Sequence, residues 1–290
     1  MKPIVQQLID HPVRHVLQNT LLNLPLMSKI QMARSTTGAM NDPELMTTWA
    51  SRVIETAVTN DIDFNGVRLI EIGPGHSLGI AVTLLMKGAA EVMAVDVKPY
   101  ATTSPIDQFL PIIERCQKIG LIGKNQAVDL AEIVERIRYV IVKDNSNWEI
   151  EDASVDIVYS YYSGEHLRSV DQVFGEISRV LKPGGLCIQA IDLRDHYHFE
   201  GNWLQFLYYE PWLWEAMSSK RGKWSNRLLA PQWREKFEAY FEILTWEETQ
   251  SSIPNDFDVS KLAPLFRSYS RDTLSISHLW VVSRKPLLNS

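Results

Sequence analysis

The sequence predicts an α/β fold, in which a parallel β-sheet carries helices on both faces. Two observations lead to this prediction. Short β-rich runs alternate with helical stretches between residues 67 and 192, which is the pattern of successive βαβ units. The first run, residues 67–72, ends at Gly73-Pro74-Gly75 and a helical stretch follows at once, as where a strand turns directly into a helix. Right-handed crossovers then join consecutive strands into one sheet.

The predicted elements follow in order along the chain. Strands one to five are predicted at 67–72, 91–97, 138–143, 155–160 and 186–192, and two closing strands at 240–246 and 277–285. Helical stretches are predicted at about 77–88, 105–119, 125–137 and 169–181. The last stretch ends at Lys182-Pro183-Gly184-Gly185, which is typical of a helix end followed by a turn.

The two ends of the chain differ from this central part in their residue pattern and aromatic content. Apolar residues recur at near-helical spacing in residues 1–60 and are interrupted by Pro25, Gly38 and Asn41-Asp42-Pro43, so we expect a helical N-terminal cap of short helices. Residues 61–290 are predicted to form one domain. Seven of the nine tryptophans lie beyond residue 200, and residues of about 193–238 are an aromatic-rich insertion before strand six. An insertion at the carboxyl end of a parallel strand lies where open α/β sheets bind ligands.

Composition and charge exclude several classes of protein. Hydrophobic residues make up 45% and charged residues 22% of the 290 residues, as in a globular chain, and the net charge is −6. A nucleic-acid binder usually carries a basic face, so we expect no nucleic-acid partner. The two cysteines do not make a disulfide framework. The N-terminus lacks the apolar core of a signal peptide, and no apolar run approaches about 18 residues, so we expect a cytoplasmic protein without a membrane partner.

The clearest local signal is the glycine turn after the first strand. Gly73 and Gly75 allow a ligand to approach the backbone, and the following helix N-terminus offers free N–H groups. Such a turn suits a nicotinamide, a flavin or S-adenosylmethionine (SAM). A dinucleotide fingerprint requires a third glycine at position 78, which is Leu78 here, and it has no need of the acid Glu71. These two features favour SAM, whose ribose diol would bind to Asp96 at the end of strand two.

At this point residues 67–182 resemble the class I SAM-dependent methyltransferases, through a series of motifs in order. Those motifs are Glu71-Ile72-Gly73-Pro74-Gly75, the ribose-binding acid Asp96, the adenine-side acid Asp144, the strand 155–158, Gly164-Glu165-His166-Leu167 and the helix and turn at 177–185. The run 192–196 also resembles a subgroup of largely uncharacterised bacterial methyltransferases. The resemblance implies a Rossmann-like sheet of seven mostly parallel strands with the last strand antiparallel.

The resemblance also implies a set of site residues. SAM, which leaves as S-adenosylhomocysteine, is expected to contact Glu71, Gly73, Gly75, His76, Asp96, Val97, Asp144, Asn145, Ser160 and Tyr161. A lid with aromatic rings is expected to hold the methyl acceptor, through Tyr162, Trp203, Phe206, Tyr209 and Arg227. His166 and His196 are candidate general bases near the carboxyl ends of strands four and five.

The expected reaction is transfer of a methyl group to a small apolar or aromatic acceptor, most simply at oxygen. N-methylation, C-methylation and methyl-ester formation on a carboxyl group or a peptide remain open, as does a SAM-binding module without catalysis. A nicotinamide-dependent oxidoreductase is disfavoured by the displaced third glycine. No metal is expected: the ubiquinone-pathway O-methyltransferases carry a metal-linked Glu-x-x-Glu-His motif, but here Tyr162 stands at the first Glu and only Glu165-His166 remain. The protein is expected to be a monomer or a homodimer.

Overall fold

The computed structural model describes residues 12–24, 26–27, 30, 42–101, 106–142, 148–199 and 201–287. Its centre is a sheet of seven strands, six parallel and the last antiparallel, which confirms the predicted architecture. The strands are β1 (Arg68–Ile72), β2 (Glu91–Asp96), β3 (Ile137–Ile141), β4 (Val155–Tyr161), β5 (Leu181–Asp192), β6 (Glu242–Gln250) and β7 (Ile276–Arg284). Their order across the sheet is β3-β2-β1-β4-β5-β7-β6.

The described helices precede or connect these strands. They are α1 (Pro12–Leu21), α2 (Pro43–Thr59), α3 (Gly79–Met86), α4 (Leu110–Lys118), α5 (Leu130–Glu135), α6 (Val170–Val180), α7 (Pro211–Ser218), α8 (Ala230–Tyr240) and α9 (Arg271–Ser275). Asp42 caps α2 by accepting a hydrogen bond from the Glu44 N–H at 2.9 Å, and Pro43 occupies the first turn. None of the helices in the described ranges is long and apolar enough to cross a membrane.

The strand register places the ends of three strands side by side. β1 lies between β2 and β4, with Glu71 opposite Ala94 on one side and opposite Tyr159 on the other. Because all three strands are parallel, the residues that follow Ile72, Val95 and Ser160 meet at one edge of the sheet. This edge is the carboxyl edge where the glycine turn lies.

The first strands and α3 are buried as a block. Every residue of β2 after Glu91 is buried, as is every residue of α3, which is typical of a sheet covered on both faces. A Cβ at Gly79 would lie 2.7 Å from Cδ1 of Ile112 and 2.8 Å from Cγ of Met46. The extra glycine that the sequence shows at this position therefore allows α3 to pack closely against α4 and α2.

Several element boundaries differ from the prediction. The Lys182-Pro183-Gly184-Gly185 stretch is not a free turn, because β5 begins at Leu181 directly after α6 and contains these residues. The pairing of β4 with β5 shifts register between Val155 and Ile157, and Gly184 has φ +81°, so the glycines form an irregular start of the strand. The predicted helix at 125–137 is shorter, since α5 begins only after its cap residue Asp129.

The chain divides into two compact units. One, here called the sheet unit, contains Thr37–Ile191, Gln232–Glu248 and Leu279–Ser290. The other, here called the aromatic unit, contains Met1–Thr36, Asp192–Pro231 and Thr249–His278. The two described helices of the predicted cap thus belong to different units, α1 to the aromatic unit and α2 to the sheet unit. The segment between β6 and β7, which the sequence did not single out, also belongs to the aromatic unit.

The aromatic unit has a hydrophobic core of its own. Its buried members are Trp203, Leu204, Phe206, Leu207, Trp214, Leu229, Leu262, Ala263, Phe266 and Leu274. The aromatic-rich composition of the insertion therefore corresponds to core packing over most of its length. Both cysteines, Cys116 and Cys187, are buried free thiols of the sheet unit.

Candidate functional site

The acid at the end of β1 is a buried carboxylate with one tyrosine partner. Glu71 is 4% exposed, and the Tyr159 hydroxyl donates a hydrogen bond to its Oε2 at 3.0 Å. Burial raises the pKa of Glu71 to about 8; the bond from Tyr159 acts in the opposite direction, and the negative charge of Asp96 adds to the rise. Burial thus favours the neutral acid, and a positive charge beside Glu71 would favour the carboxylate.

The glycine turn after β1 has the backbone conformation that glycine is needed for. Gly73 has φ +67° and Gly75 has φ +63°. A Cβ at Gly73 would lie 2.6 Å from Cβ of Ser163, so the turn also needs glycine for space. The Ser163 hydroxyl donates to the Ile72 carbonyl at 2.8 Å and is hydrogen-bonded to the Ser160 hydroxyl. These bonds join the end of β4 to the end of β1.

Asp96 organises the end of β2. Its carboxylate accepts hydrogen bonds from the backbone N–H of Gly75 at 3.2 Å and of Val97 at 2.7 Å. Burial raises the pKa of Asp96, against the effect of these donors and of the Lys98 N–H. The carboxylate thereby couples the β2 end to the glycine turn and remains 7% exposed. The Val97 side chain is exposed, and the His76 ring lies 4.8 Å from the ring of Tyr100.

Aromatic rings line the end of β4. Tyr161 is stacked on Trp49 of α2, with centroids 4.6 Å apart, and its hydroxyl donates to the Trp49 carbonyl at 2.9 Å. Tyr162 has φ +54°, its N–H donates to the Ala190 carbonyl at 2.8 Å, and the residue is 39% exposed. The Tyr162 ring meets Trp49 edge-on at 5.5 Å. A left-handed tyrosine is strained and is typical of a functional site.

The two candidate histidines lie in different units. His166 ends a short 3₁₀ helix (Gly164–His166) of the sheet unit, and its N–H donates to the Ser163 carbonyl at 3.0 Å. His196 belongs to the aromatic unit, where its Nε2 lies 3.7 Å from Oδ2 of Asp192 and its ring is stacked on Phe199 at 5.0 Å.

The predicted acceptor residues of the insertion have mixed surroundings. Trp203 and Phe206 are buried in the core of the aromatic unit, and Phe206 is only 1% exposed. Tyr209 is stacked on Trp214, with centroids 6.4 Å apart. Phe206 therefore supports the unit from within rather than presenting a surface.

Arg227 is held inside the aromatic unit by backbone carbonyls. Its Nη1 donates to the carbonyls of Phe206 at 3.0 Å and Tyr209 at 2.7 Å, which lie at the end of a 3₁₀ helix (Gln205–Tyr208). Burial lowers the pKa of Arg227 to about 10, and the residue itself has φ +60°. These bonds give Arg227 a role in closing the helix end.

Two predicted residues, Asp144 and Asn145, lie outside the described residues.

Three residues at the carboxyl edge were not predicted: Tyr159, Ser163 and Trp49. The sequence held a signal for Tyr159, because alternation along β4 places it two residues before Tyr161 on the same face. Ser163 could not be found from the sequence, because its contact with Gly73 exists only in the folded turn.

Comparison with known proteins agrees with this geometry. Residues 70–189, 120 of the 290, match the family model of the methyltransferase domain. No curated protein matches the chain. The span of the family model contains Glu71, both glycines of the turn, Asp96 and the whole of β4.

Solved structures with a similar fold have diverse activities. A SAM-dependent methyltransferase from Mesorhizobium loti is 16% identical, with 80% of this chain and 96% of that chain covered and a TM-score of 0.45. A putative sarcosine dimethylglycine methyltransferase from Galdieria sulphuraria is 13% identical, with 83% and 85% covered and a TM-score of 0.49. The [4+2]-cyclase SpnF is 18% identical, with 82% and 81% covered and a TM-score of 0.47. At this similarity their substrates give no information on the acceptor of this chain.

Proposed function

Because the chain belongs to the class I SAM-dependent methyltransferases, we propose that it methylates an oxygen atom of a small apolar or aromatic acceptor. The sheet unit supplies the residues that hold SAM, and a histidine takes the proton of the acceptor hydroxyl. The observation that carries the SAM-binding part of the proposal is the buried Glu71 at the end of β1, and the oxygen part depends on the candidate bases His166 and His196.

Glu71 fits the ammonium group of the methionine part of SAM. Its pKa of about 8 without a ligand means that the carboxyl group lacks a compensating positive charge. An ammonium beside it restores the ionised form, and the Tyr159 hydroxyl at 3.0 Å holds the carboxylate in place. A nicotinamide dinucleotide carries no ammonium group, so the acid favours SAM over the nicotinamide alternative.

Asp96 and the glycine turn fit the ribose and the chain that joins it to the methionine part. Gly73 and Gly75 have no side chains, so a ligand can approach the backbone of the turn closely. The Asp96 carboxylate accepts N–H bonds through both oxygens and retains lone pairs that can accept from a ribose diol. Ser160 and Tyr161, at the end of β4, complete this edge. Asp144 and Asn145 remain proposed on the adenine side.

SAM supplies a methyl group bound to a sulfonium. When the C–S bond breaks, its electron pair stays on sulfur, and S-adenosylhomocysteine leaves as a neutral thioether. The acceptor oxygen donates the electron pair of the new C–O bond, and the hydroxyl proton must go to a base. The residues of the chain therefore need to align the acceptor and remove that proton, since proximity and orientation supply most of the rate. Tyr162, with its exposed ring at the end of β4, is the proposed contact for the apolar acceptor body.

His166 and His196 are the proposed bases. His166 follows β4 by five residues, and His196 follows β5 by four. An imidazole near neutral pKa is suited to accept the hydroxyl proton. Asp192, 3.7 Å from His196, stabilises the imidazolium that forms.

The test is turnover with SAM that carries a deuterated methyl group. The acceptors are a panel of phenols, apolar alcohols, amines, carboxylic acids and small peptides, and products are located by mass spectrometry and NMR. We expect the label on a hydroxyl oxygen. We also expect at least a hundredfold loss of kcat in His166→Asn or His196→Asn, whichever is the base.

A label on nitrogen, carbon or a carboxylate would overturn the oxygen assignment. Unchanged turnover in the variant that combines both histidine substitutions would overturn base catalysis. Tight binding of S-adenosylhomocysteine together with no product from the whole panel would favour the module without catalysis.

A further inference from the structure

Helix α1 of the aromatic unit contacts α7 through a buried polar side chain. Asn19 is buried, and its Nδ2 donates to the Ala216 carbonyl at 3.0 Å and to the Ser219 hydroxyl at 2.9 Å. Its Oδ1 accepts from the Lys220 N–H at 2.8 Å. A helix of a globular protein normally buries an apolar stripe and leaves its polar side in water. Helix α1 departs from this pattern, because a polar group lies at the centre of its contact with α7.

The opposite side of α1 is aliphatic and exposed. Leu17 lies two residues before Asn19, which is about 200° around the helix. Val13, Leu17 and Leu21 recur at every fourth residue and so follow one side of α1. Together with Leu24 in the turn after the helix, they are between 49% and 60% exposed. A contiguous set of exposed apolar side chains is typical of an interaction surface.

Helix α7 adds an exposed tryptophan to this surface. Trp212 is 70% exposed. It precedes Ala216 by one helical turn and Ser219 by two, so it lies on the side of α7 that contacts α1. The exposed side chains of both helices are here called the apolar face: Val13, Leu17, Leu21, Leu24 and Trp212.

Exposed basic side chains accompany the apolar face. Arg14 is exposed on α1 itself, directly after Val13. Lys220 is exposed at the end of α7, and its Nζ donates to the Asn23 side chain in the turn after α1. Lys223 is exposed three residues further along the chain.

Few acids oppose these cations. Residues 12–24 and 218–225 contain no Asp or Glu. Arg221 is not counted, because the negative charge of Asp195 acts on it. Glu215 of α7 is an exposed acid near the face, where it accepts from the Trp224 indole N–H at 2.9 Å. The surroundings of the apolar face are therefore basic in a chain whose net charge is −6.

We propose that the apolar face adsorbs to the surface of an anionic lipid bilayer. Leucine and tryptophan side chains enter the headgroup region of a bilayer, and lysine and arginine side chains bind to anionic headgroups. A bilayer also needs no groove that matches the helix. The expectation of no membrane partner depended on apolar runs of spanning length, whereas adsorption of one helix side needs no such run.

A second copy of the chain is a less suitable occupant of the apolar face. In a symmetric dimer the same residues of both copies meet. Arg14 and Lys220 of one copy would then approach those of the other, and like charges repel each other across the contact. An anionic bilayer attracts the same cations.

The test is flotation of the purified protein with vesicles of phosphatidylcholine alone and of phosphatidylcholine mixed with phosphatidylglycerol. We expect binding to the anionic vesicles, little binding to the neutral ones, and weaker binding as salt is added. The variant that combines Leu17→Gln with Leu21→Gln should lose at least tenfold in vesicle affinity. Arg14→Gln and Lys220→Gln should each lose about fivefold.

The matched controls are Leu265→Gln and Lys261→Gln, an exposed leucine and an exposed lysine between β6 and β7, which should keep wild-type affinity for the vesicles. All variants should keep the wild-type Tm and the wild-type affinity for S-adenosylhomocysteine. These two measurements show that the variants are folded, and they separate the apolar face from the proposed function.

Three results would overturn the proposal. One is equal binding to neutral and anionic vesicles, and another is equal loss of affinity in the control variants. The third is no binding to the anionic vesicles. In that case a dimer that the double leucine variant dissociates would assign the apolar face to a second copy, and a monomer would leave it to an acidic partner protein.

Discussion

The Tyr159 hydroxyl donates a hydrogen bond at 3.0 Å to the carboxylate of Glu71, and both side chains are buried in the sheet. The two residues are register partners on neighbouring parallel strands, so the bond is fixed by strand pairing rather than by a loop. A rigid acid at the carboxyl edge of the sheet is suited to hold one cationic group in one place.

The first prediction is that ligand binding releases a proton from Glu71. The ligand-free pKa is about 8, so at pH 6.5 the carboxyl group is mostly protonated, and a bound ammonium favours the ionised form. Affinity for S-adenosylhomocysteine therefore rises from pH 6 to 8, and about one proton leaves per ligand at pH 6.5. Calorimetry in buffers of different ionisation enthalpy measures this release. Glu71→Gln should abolish it, and a release that persists in this variant contradicts the assignment.

The second prediction concerns stability without ligand. The pKa of Glu71 is raised from 4.5 to about 8 by folding, so the unfolded state loses its proton first. Stability then decreases as pH rises from 4.5 to 8, and the full cost of the buried charge is present above pH 8. Glu71→Gln has no such cost, and its Tm should exceed that of the wild type by several degrees at pH 9. The difference should shrink at pH 5, and thermal unfolding at both pH values checks it.

The third prediction separates two causes of strain at Gly73. Gly73→Ala places a Cβ 2.6 Å from Cβ of Ser163 at φ +67°, and we expect a loss of about 1–3 kcal/mol in the free energy of unfolding. Combining it with Ser163→Gly removes the steric contact and keeps the unfavourable φ. Urea unfolding of the single and double variants measures the two parts. A wild-type stability of Gly73→Ala would show that the turn has another conformation.

The fourth prediction concerns Tyr162 and its φ of +54°. Tyr162→Gly relieves the left-handed strain, while Tyr162→Ala keeps it and removes the same ring. The glycine variant should be more stable than the alanine variant by about 1 kcal/mol. Both variants should lose acceptor turnover to a similar extent, with little change in S-adenosylhomocysteine affinity. Retained turnover in both variants would exclude the ring from the acceptor site.

The sequence was sufficient for the fold and for the order of the strands along the chain. In residues 67–192 strands alternate with helices, and this pattern can be recognised from the local sequence without any tertiary contact. The Lys182-Pro183-Gly184-Gly185 stretch was predicted as a turn, because glycine and proline are typical of turns. The same residues also occur at irregular strand starts, as they do here. The local pattern does not distinguish these two structures.

The partners of the site residues were beyond the sequence. The bond from Tyr159 to Glu71 depends on strand register over 88 residues of separation, and no local pattern encodes it. The aromatic insertion gives a further example. Phe206 was predicted to contact the acceptor, yet the same composition also builds a hydrophobic core, and burial at 1% exposure is a tertiary property.

The edge formed by Glu71, Gly73, Gly75 and Asp96 is the proposed binding site of SAM. Calorimetric titration with S-adenosylhomocysteine tests it most directly, on the wild type and on Asp96→Asn and Asp96→Ala. The Gly75 and Val97 N–H groups bind to different oxygens of Asp96, so the asparagine variant keeps an acceptor for one of them and the alanine variant for neither. We expect micromolar binding by the wild type and a loss of at least tenfold in both variants. No binding by the wild type, or equal binding by all three proteins, would contradict it.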